Sequence, residues 1–236
     1  MLFENKNAVI YGAGGAIGGA VARAFAREGA RLFLAGRALA KLDVVAQDIT
    51  AAGGVAETAQ VDALDEHSVE KHADAVAAKA GGIDIALNAV GIFHVQGTPF
   101  AELSLEEYAY PITVYTRTNF ITARAVARHM AKERSGVILT LSTPGARLSG
   151  PGFMGNGVAS AAVEALSRIL AGELGPQGIR VVCIRPHAIP EAAEMGYHTR
   201  EVFRPMAARA GVTVEEMLAG AMTGTVANLT CGAIVD

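Results

Sequence analysis

Short apolar runs alternate with longer amphipathic segments along most of this chain of 236 residues. The short runs are typical of buried strands, and the longer segments repeat apolar residues at the spacing of one helix face. The predicted strands are residues 8–11, 31–35, 55–61, 83–88, 136–142 and 179–184. The predicted helices are residues 17–28, 39–52, 66–80, a long region from 104 to 134 that is interrupted near Pro111, and 158–174.

This alternation of strand and helix predicts parallel βαβ units with helices on both faces of a sheet. The predicted fold class is therefore α/β, a Rossmann-type doubly wound parallel sheet. Because the chain shows no internal repeat, low-complexity tract or linker, we expect residues 1–236 to form a single domain.

Composition argues against several classes of protein. Hydrophobic residues make up 51% of the chain and charged residues 18%, which is typical of a soluble protein with a large core. A net charge of −3 without a lysine or arginine cluster argues against a nucleic-acid partner. The start of the chain lacks the apolar run of a signal peptide, and no apolar stretch reaches spanning length, so we expect a cytoplasmic protein without a membrane partner. Cys183 and Cys231 lie in apolar runs and are expected to be buried thiols.

A glycine-rich segment, residues 12–19, joins the first predicted strand to the first predicted helix. Unpaired N–H groups at such a helix start attract a pyrophosphate, and glycine lets the backbone turn sharply and the phosphate approach closely. Because the segment follows a strand and opens a helix, it indicates a dinucleotide site, the alternative being a glycine-rich turn without a ligand. The predicted cofactor contacts are Gly12, Gly14, Gly15, Ala16, Ile17 and Gly18.

Arg37 follows the second predicted strand, where the adenosine ribose of a dinucleotide would lie. An acidic residue at this point would bind a free 2′-hydroxyl, whereas an arginine can bind a 2′-phosphate through charge-assisted hydrogen bonds. The sequence therefore predicts NADP(H) in preference to NAD(H), unless Arg37 is an ordinary solvated surface residue. Asp62 is placed to accept from the adenine amine, and the turn after the fourth strand would let the cofactor lie close through Asn88, Ala89 and Gly91.

At this point the chain resembles the short-chain dehydrogenase/reductase family over most of its length. Residues 11–18 resemble the family motif TGxxxGxG, with departures at Tyr11 and Ala16, and residues 88–91 (Asn-Ala-Val-Gly) resemble its NNAG motif. Arg185-Pro186-His187 stands where the family has a Pro-Gly pair beside the nicotinamide, which makes Pro186 a further cofactor contact. Residues 223–224 (Thr-Gly) and a terminal strand over 226–235 resemble the end of the family pattern.

The resemblance also locates the family's catalytic positions, which carry unusual residues here. The family uses a tyrosine as acid/base, a lysine four residues later, a serine that orients the carbonyl, and an asparagine that holds a relay water. The corresponding residues are Asn156, Ser160, Thr143 (preceded by Ser142) and Tyr115, and residues 136–196 contain neither tyrosine nor lysine. Since an amide has no titratable proton near neutral pH, the usual acid/base step is expected to be absent or very slow. Ser160 is counted among the cofactor contacts.

Three side chains are candidates to replace the missing acid/base group. Tyr115 is a phenol at the relay position, the alternative being a tyrosine that packs the helix. His187 offers an imidazole beside the expected nicotinamide, although its volume could instead block the cofactor. His94 lies at the carboxyl edge of the sheet, where we expect a surface-loop histidine. The resemblance implies a substrate lid over about residues 187–220, which includes Tyr197 and His198.

Two functions remain open from the residues. The first is an NADP(H)-dependent oxidoreductase with a non-standard acid/base group that acts on a small carbonyl compound or alcohol, with no metal site. The second is a catalytically inactive dinucleotide-binding protein that serves as a sensor or partner subunit. Family membership favours the first. The resemblance also implies a homodimer or homotetramer formed through residues 104–134 and 158–174.

The end of the chain departs from the family pattern. A helix and loop separate the lid from the closing Thr-Gly in the family, whereas here residues 215–219 pass almost directly into Met222-Thr223-Gly224. Either this helix is deleted in the protein, or the sequence joins residues across a missing stretch. We expect the second, because loss of a helix that covers the sheet would expose apolar surface.

Overall fold

The computed structural model describes residues 1–187, 189–194, 199–222 and 230–231, and its centre is a seven-stranded sheet. The strand order is β3-β2-β1-β4-β5-β6-β7, in which the first six strands are parallel and β7 pairs antiparallel with β6. The strands are β1 (Asn7–Tyr11), β2 (Arg31–Gly36), β3 (Val55–Gln60), β4 (Ile85–Asn88), β5 (Gly136–Leu141), β6 (Ile179–Ile184) and β7 (Thr230–Cys231). The predicted fold class, a Rossmann-type doubly wound sheet, is confirmed.

Helices cover both faces of this sheet. They are α1 (Ala16–Arg27), α2 (Leu39–Ala51), α3 (Glu66–Ala80), α4 (Leu105–Glu133), α5 (Met154–Leu174), α6 (Pro190–Glu194), α7 (Thr199–Ala210) and α8 (Val214–Met222). Apolar residues of α1 and α2 pack on one face of the sheet, and those of α3, α4 and α5 pack on the other. None of the helices in the described part of the chain is long and apolar enough to cross a membrane.

Strand β1 shows why the strands are apolar without interruption. Val9 and Tyr11 belong to the core on the α3–α4 side, and Ala8 and Ile10 belong to the core on the α1–α2 side. All four side chains are at most 1% exposed. A parallel sheet that is covered on both faces buries every position of its central strands, so no polar alternation appears.

The predicted interruption of the long helix near Pro111 is wrong, because α4 continues through this residue. A capping box formed by Ser104 and Glu107 starts the helix. Pro111 removes one backbone hydrogen bond, but it is buried where α5 approaches closely. A Cβ on Gly155 would lie 3.0 Å from the Pro111 ring, so close packing of α4 on α5 holds the helix together at this point.

Helix α5 begins at Met154, four residues before the predicted start. Glycines at 155 and 157 argue against a helix by propensity, but both make close backbone approaches. A Cβ on Gly157 would lie 2.9 Å from the carbonyl oxygen of Gly145. The packing of α5 on its neighbours therefore decides where the helix starts, and local propensity does not.

Three helices that the sequence pattern left unassigned, α6, α7 and α8, form a small cluster of their own beside the sheet. Its buried members are Ala193, Ala207, Val214 and Leu218. Tyr197, His198, Thr223 and Gly224 lie outside the described residues, as does the predicted strand 226–235 except for β7. The expectation of a missing stretch before Met222 therefore stays a prediction.

Candidate active site

A pocket of about 650 Å³ opens at the carboxyl ends of the parallel strands. It lies across β1 and β4, where the strand order reverses, which is the usual ligand position in a doubly wound sheet. Nearly all of the predicted site residues line it together. They are Gly12, Gly14, Gly15, Ala16, Ile17, Arg37, Asp62, Asn88, Ala89, Gly91, Tyr115, Ser142, Thr143, Asn156, Ser160, Pro186 and His187.

Gly18 is the predicted contact that the pocket does not include. A Cβ on Gly18 would lie 2.4 Å from the carbonyl oxygen of Gly12, so its role is to let α1 pack against the preceding turn. Gly12 itself has a φ of +80°, and a Cβ there would lie 2.4 Å from the Ala89 carbonyl oxygen. These two glycines serve the packing of the tight turn between β1 and α1, whose following residues line the pocket.

The start of α1 suits an anionic ligand. Gly15 is the N-cap, no side chain caps the helix, and the first turn contains no acidic residue. The N–H groups at such an end are unpaired and carry a partial positive charge. Since Gly14, Gly15, Ala16 and Ile17 all line the pocket, a pyrophosphate fits at this point without competition from the protein's own carboxylates.

Two cationic side chains line the end of the pocket that follows β2. Arg37 is exposed and forms no ion pair with another described residue. Lys41, in the first turn of α2, lines the same pocket and was missed by the sequence analysis. Its position at the start of the helix that directly follows Arg37 was the signal that could have revealed it. Asp62 accepts a hydrogen bond of 3.0 Å from the Leu64 backbone N–H and lines the same end.

Asn88 shapes the turn that follows β4. Its Nδ2 atom donates to Thr122 Oγ1 at 3.1 Å, and its Oδ1 atom accepts from the Val90 backbone N–H at 3.0 Å. The side chain is 7% exposed, so both polar atoms are used inside the protein. Asn88 therefore holds Ala89 and Gly91 in place at the pocket wall.

A pair of hydroxyl groups lies at the end of the pocket that follows β5. Thr143 Oγ1 lies 2.8 Å from Ser160 Oγ, and both residues line the pocket together with Asn156. Asn156 is 8% exposed and belongs to the first turn of α5. Hydroxyl and amide groups can orient a carbonyl oxygen by hydrogen bonds, but none of the three titrates near neutral pH.

Ser142 differs from this pair, because its hydroxyl donates to a carboxylate. Ser142 Oγ lies 2.8 Å from Glu164 Oε1, and the Nε atom of Arg185 donates to the same oxygen at 2.7 Å. Burial alone would raise the pKa of Glu164, but the hydrogen bonds from Arg185 and Ser142 outweigh it and hold this pKa below its usual value. The network ties the end of β5 to the Arg185-Pro186-His187 segment after β6.

Tyr115 and His187 are both present in the pocket lining. Burial raises the pKa of Tyr115, although a hydrogen bond from the Ile92 backbone partly offsets this, so the phenol keeps its proton at neutral pH. The Nδ1 atom of His187 is buried and has no hydrogen-bond partner among the described residues. A buried polar atom of this kind at a pocket wall is a position where a ligand can supply the missing partner.

His94 is not the surface-loop histidine that we expected. It is 9% exposed and lines the pocket. Its Nδ1 atom lies 3.3 Å from the Ile92 carbonyl oxygen, and its Nε2 atom lies 3.2 Å from Gln96 Oε1. The imidazole ring is 6.3 Å from the Tyr115 ring, so the loop after β4 folds inward onto α4.

In the described part of the chain, no group of three or more His, Cys, Asp or Glu side chains could hold a metal ion.

Comparisons with known proteins agree with this geometry. A family model described as enoyl-(acyl carrier protein) reductase matches residues 12–224. The D-threitol dehydrogenase of Mycolicibacterium smegmatis is 30% identical over 206 residues, which cover 82% of this chain and 73% of the relative. The meso-2,3-butanediol dehydrogenase of Serratia marcescens is 33% identical over 190 residues, which cover 80% of this chain and 73% of the relative.

A solved structure with the same fold is a metagenomic short-chain oxidoreductase in complex with NADP. It is 28% identical, has a TM-score of 0.72, and the match covers 79% of this chain and 84% of that one. Taken with the fold and the pocket, these matches show that the chain belongs to the short-chain dehydrogenase/reductase family.

Proposed function

We propose that the protein is an NADP(H)-dependent short-chain oxidoreductase that acts on a small carbonyl compound or alcohol through a non-standard acid/base group. The observation that carries this proposal is the continuity of the pocket, which joins the anion-binding start of α1 to the hydroxyl pair of Thr143 and Ser160. In this proposal residues 1–236 form one cytoplasmic domain, and residues 187–220 act as the substrate lid.

The preference for NADP(H) rests on charge at the adenosine end. Arg37 and Lys41 line that end. None of the described lining residues of β2 is an Asp or Glu that could accept a hydrogen bond from a free 2′-hydroxyl. Guanidinium and ammonium groups both bind phosphate, the first with bidentate geometry. The NADP-bound relative is in keeping with this assignment.

The nicotinamide would supply the hydride, and the protein must then orient the substrate oxygen and transfer a proton to or from it. Thr143 and Ser160 orient the oxygen in this proposal. Asn156 adds a hydrogen bond but cannot exchange a proton, which leaves His187 and Tyr115 as the groups that could do so. His187 is the stronger of the two, because its buried Nδ1 atom lacks a partner among the described residues whereas burial keeps the Tyr115 phenol protonated.

Exposed apolar side chains on two helices fit the proposed homodimer or homotetramer. Leu105 and Phe120 on α4 are 80% and 49% exposed, and Val158 and Ile169 on α5 are 38% and 57% exposed. Since α4 and α5 pack side by side, these residues are candidates for a symmetric contact between copies of the chain.

The proposal is tested by two measurements on the purified protein. NADPH and NADH are titrated while intrinsic or nucleotide fluorescence is followed, and the NADPH-loaded protein is then screened against ketones and aldehydes. Tight NADPH binding with turnover is the expected result. Tight NADPH binding without any turnover would favour the inactive dinucleotide-binding alternative, and loss of both would contradict the cofactor site.

A further inference from the structure

Charged side chains line one end of the pocket and not the other. Among the described lining residues, the Asp, Glu, Lys and Arg side chains are Arg37, Lys41 and Asp62, which follow β2 and β3. The hydroxyl pair consists of Thr143, which follows β5, and Ser160 in the second turn of α5. Strand β5 lies three strands from β2 in the sheet order. At the usual strand spacing this separates the two ends by about 14 Å. The charges therefore serve the cofactor end.

The wall at the other end is apolar and is held in place by packing. It is formed by the loop before α5 and by α6 and α7, and its members include Leu148, Phe153, Ile189, Val202 and Phe203. Val202 is 5% exposed, and Phe203 packs against the cluster of α6, α7 and α8. A wall of this kind favours a ligand with apolar surface.

The described polar side chains at this end carry amide, hydroxyl and imidazole groups, and the imidazoles are those of His94 and His187. Gln96 and His94 are 4% and 9% exposed and bond to each other, and Tyr115 keeps its proton. The nearby carboxylate of Glu164 does not line the pocket and is paired with Arg185 at 2.7 Å. A carboxylate or phosphate on a substrate would therefore be buried at this end with no lysine or arginine among the described lining residues to pair with it.

We propose that the substrate end takes an uncharged ketone or secondary alcohol with an apolar body, and that it excludes carboxylates and phosphates. The physical reason is the large cost of burying an unpaired anion, which exceeds what apolar contacts of the same molecule return. This inference rests on the proposed function, because it concerns the substrate half of the same pocket.

The test compares two ligands that differ in charge and little else, methyl 5-oxohexanoate and 5-oxohexanoate. Each is titrated by calorimetry into the protein loaded with NADP+, which cannot reduce the ketone, at pH 8, where the carboxylate of 5-oxohexanoate is fully ionised. We expect the ester to bind at least about tenfold more tightly, because an unpaired buried carboxylate is strongly disfavoured. Equal or tighter binding of the acid, or failure of both ligands to bind at millimolar concentration, would overturn the inference.

NADPH binding is measured first on the same sample, which separates the two proposals. A protein that does not bind NADPH contradicts the proposed function, whereas one that binds NADPH and prefers the acid contradicts the substrate class. The pocket wall is then tested with Leu148→Arg, since Leu148 lines the pocket and is 55% exposed, so that the fold tolerates the new charge.

Val44→Arg is the matched control, because Val44 is also 55% exposed but lies on α2 outside the pocket lining. We expect Leu148→Arg to lower the ester-to-acid affinity ratio about three- to fivefold, the size of a partly exposed ion pair, and Val44→Arg to leave it unchanged. An unchanged ratio in Leu148→Arg, or the same change in both variants, would contradict the assignment of this wall to the substrate.

Discussion

Removal of the Arg37 side chain is the most direct test of the cofactor assignment. The guanidinium is exposed and forms no ion pair with another described residue, so Arg37→Ala leaves no buried charge behind. A charge-assisted hydrogen bond is worth about 1.5–3 kcal/mol, but exposure to solvent reduces this toward the ~1 kcal/mol of a surface ion pair. We therefore expect NADPH to bind about five- to tenfold more weakly. NADH, which lacks the 2′-phosphate, should change less than about twofold.

The assay is a fluorescence titration of both nucleotides at low ionic strength and again at 0.5 M salt, where the effect should shrink because exposed charges are screened. Arg27→Ala is the control, since Arg27 ends α1 about 18 Å from the helix start and does not line the pocket. Lys41→Ala should weaken NADPH binding in the same direction. Equal losses for NADPH and NADH in Arg37→Ala would refute the reasoning.

Three further predictions concern the proposed acid/base group, the partly buried carboxylate of Glu164 and the glycine turn. His187→Ala should lower kcat about 100-fold or more with little change in the Kd for NADPH, whereas Tyr115→Phe should lower kcat far less, and an unchanged kcat in both variants would eliminate the proposed proton transfer. Glu164→Gln should lower the free energy of unfolding by about 1–3 kcal/mol at pH 7. The pKa of Glu164 in the folded protein lies below its unfolded value of 4.5, so the stability difference between the two proteins is present above pH 4.5 and should vanish as the pH falls through the folded pKa. A stability difference in denaturant melts that does not depend on pH would contradict this prediction. Gly12→Ala should lower the free energy of unfolding by about 3 kcal/mol. Gly53→Ala is the control, because Gly53 has a similar φ of +84° but open space around its Cβ, and it should lower the free energy of unfolding by about 1 kcal/mol. Equal losses in the two variants would refute the close approach of Gly12 to Ala89.

Prediction from the sequence succeeded for the elements whose signal is local. The predicted bounds of α3 and β6 match the structure, and the other parallel strands agree within two residues at each end. It failed where packing between distant segments decides, as at Pro111 and at the glycines that begin α5. In both places close packing outweighs the local preference of proline and glycine, through the contact of Pro111 with Gly155 and through the approach of Gly157 to Gly145.

The site shows the same division. The sequence could predict that the glycine turn, Arg37, Thr143, Asn156 and Ser160 line one pocket, because each depends on a position next to a predicted strand or helix. Lys41 was missed although it follows Arg37 by four residues, and His94 was placed on the surface because nothing local indicates that its loop turns inward onto α4.

The sequence by itself determined the doubly wound sheet, the family and the edge of the sheet at which the pocket lies, since these follow from the strand–helix alternation and from the residues at strand ends. Tertiary structure decided which side chains meet within that pocket. It pairs Thr143 with Ser160, directs Ser142 to Glu164, and separates the charged end from the apolar end. The physical reason is that these contacts join residues on different elements, and their geometry depends on how helices and strands pack.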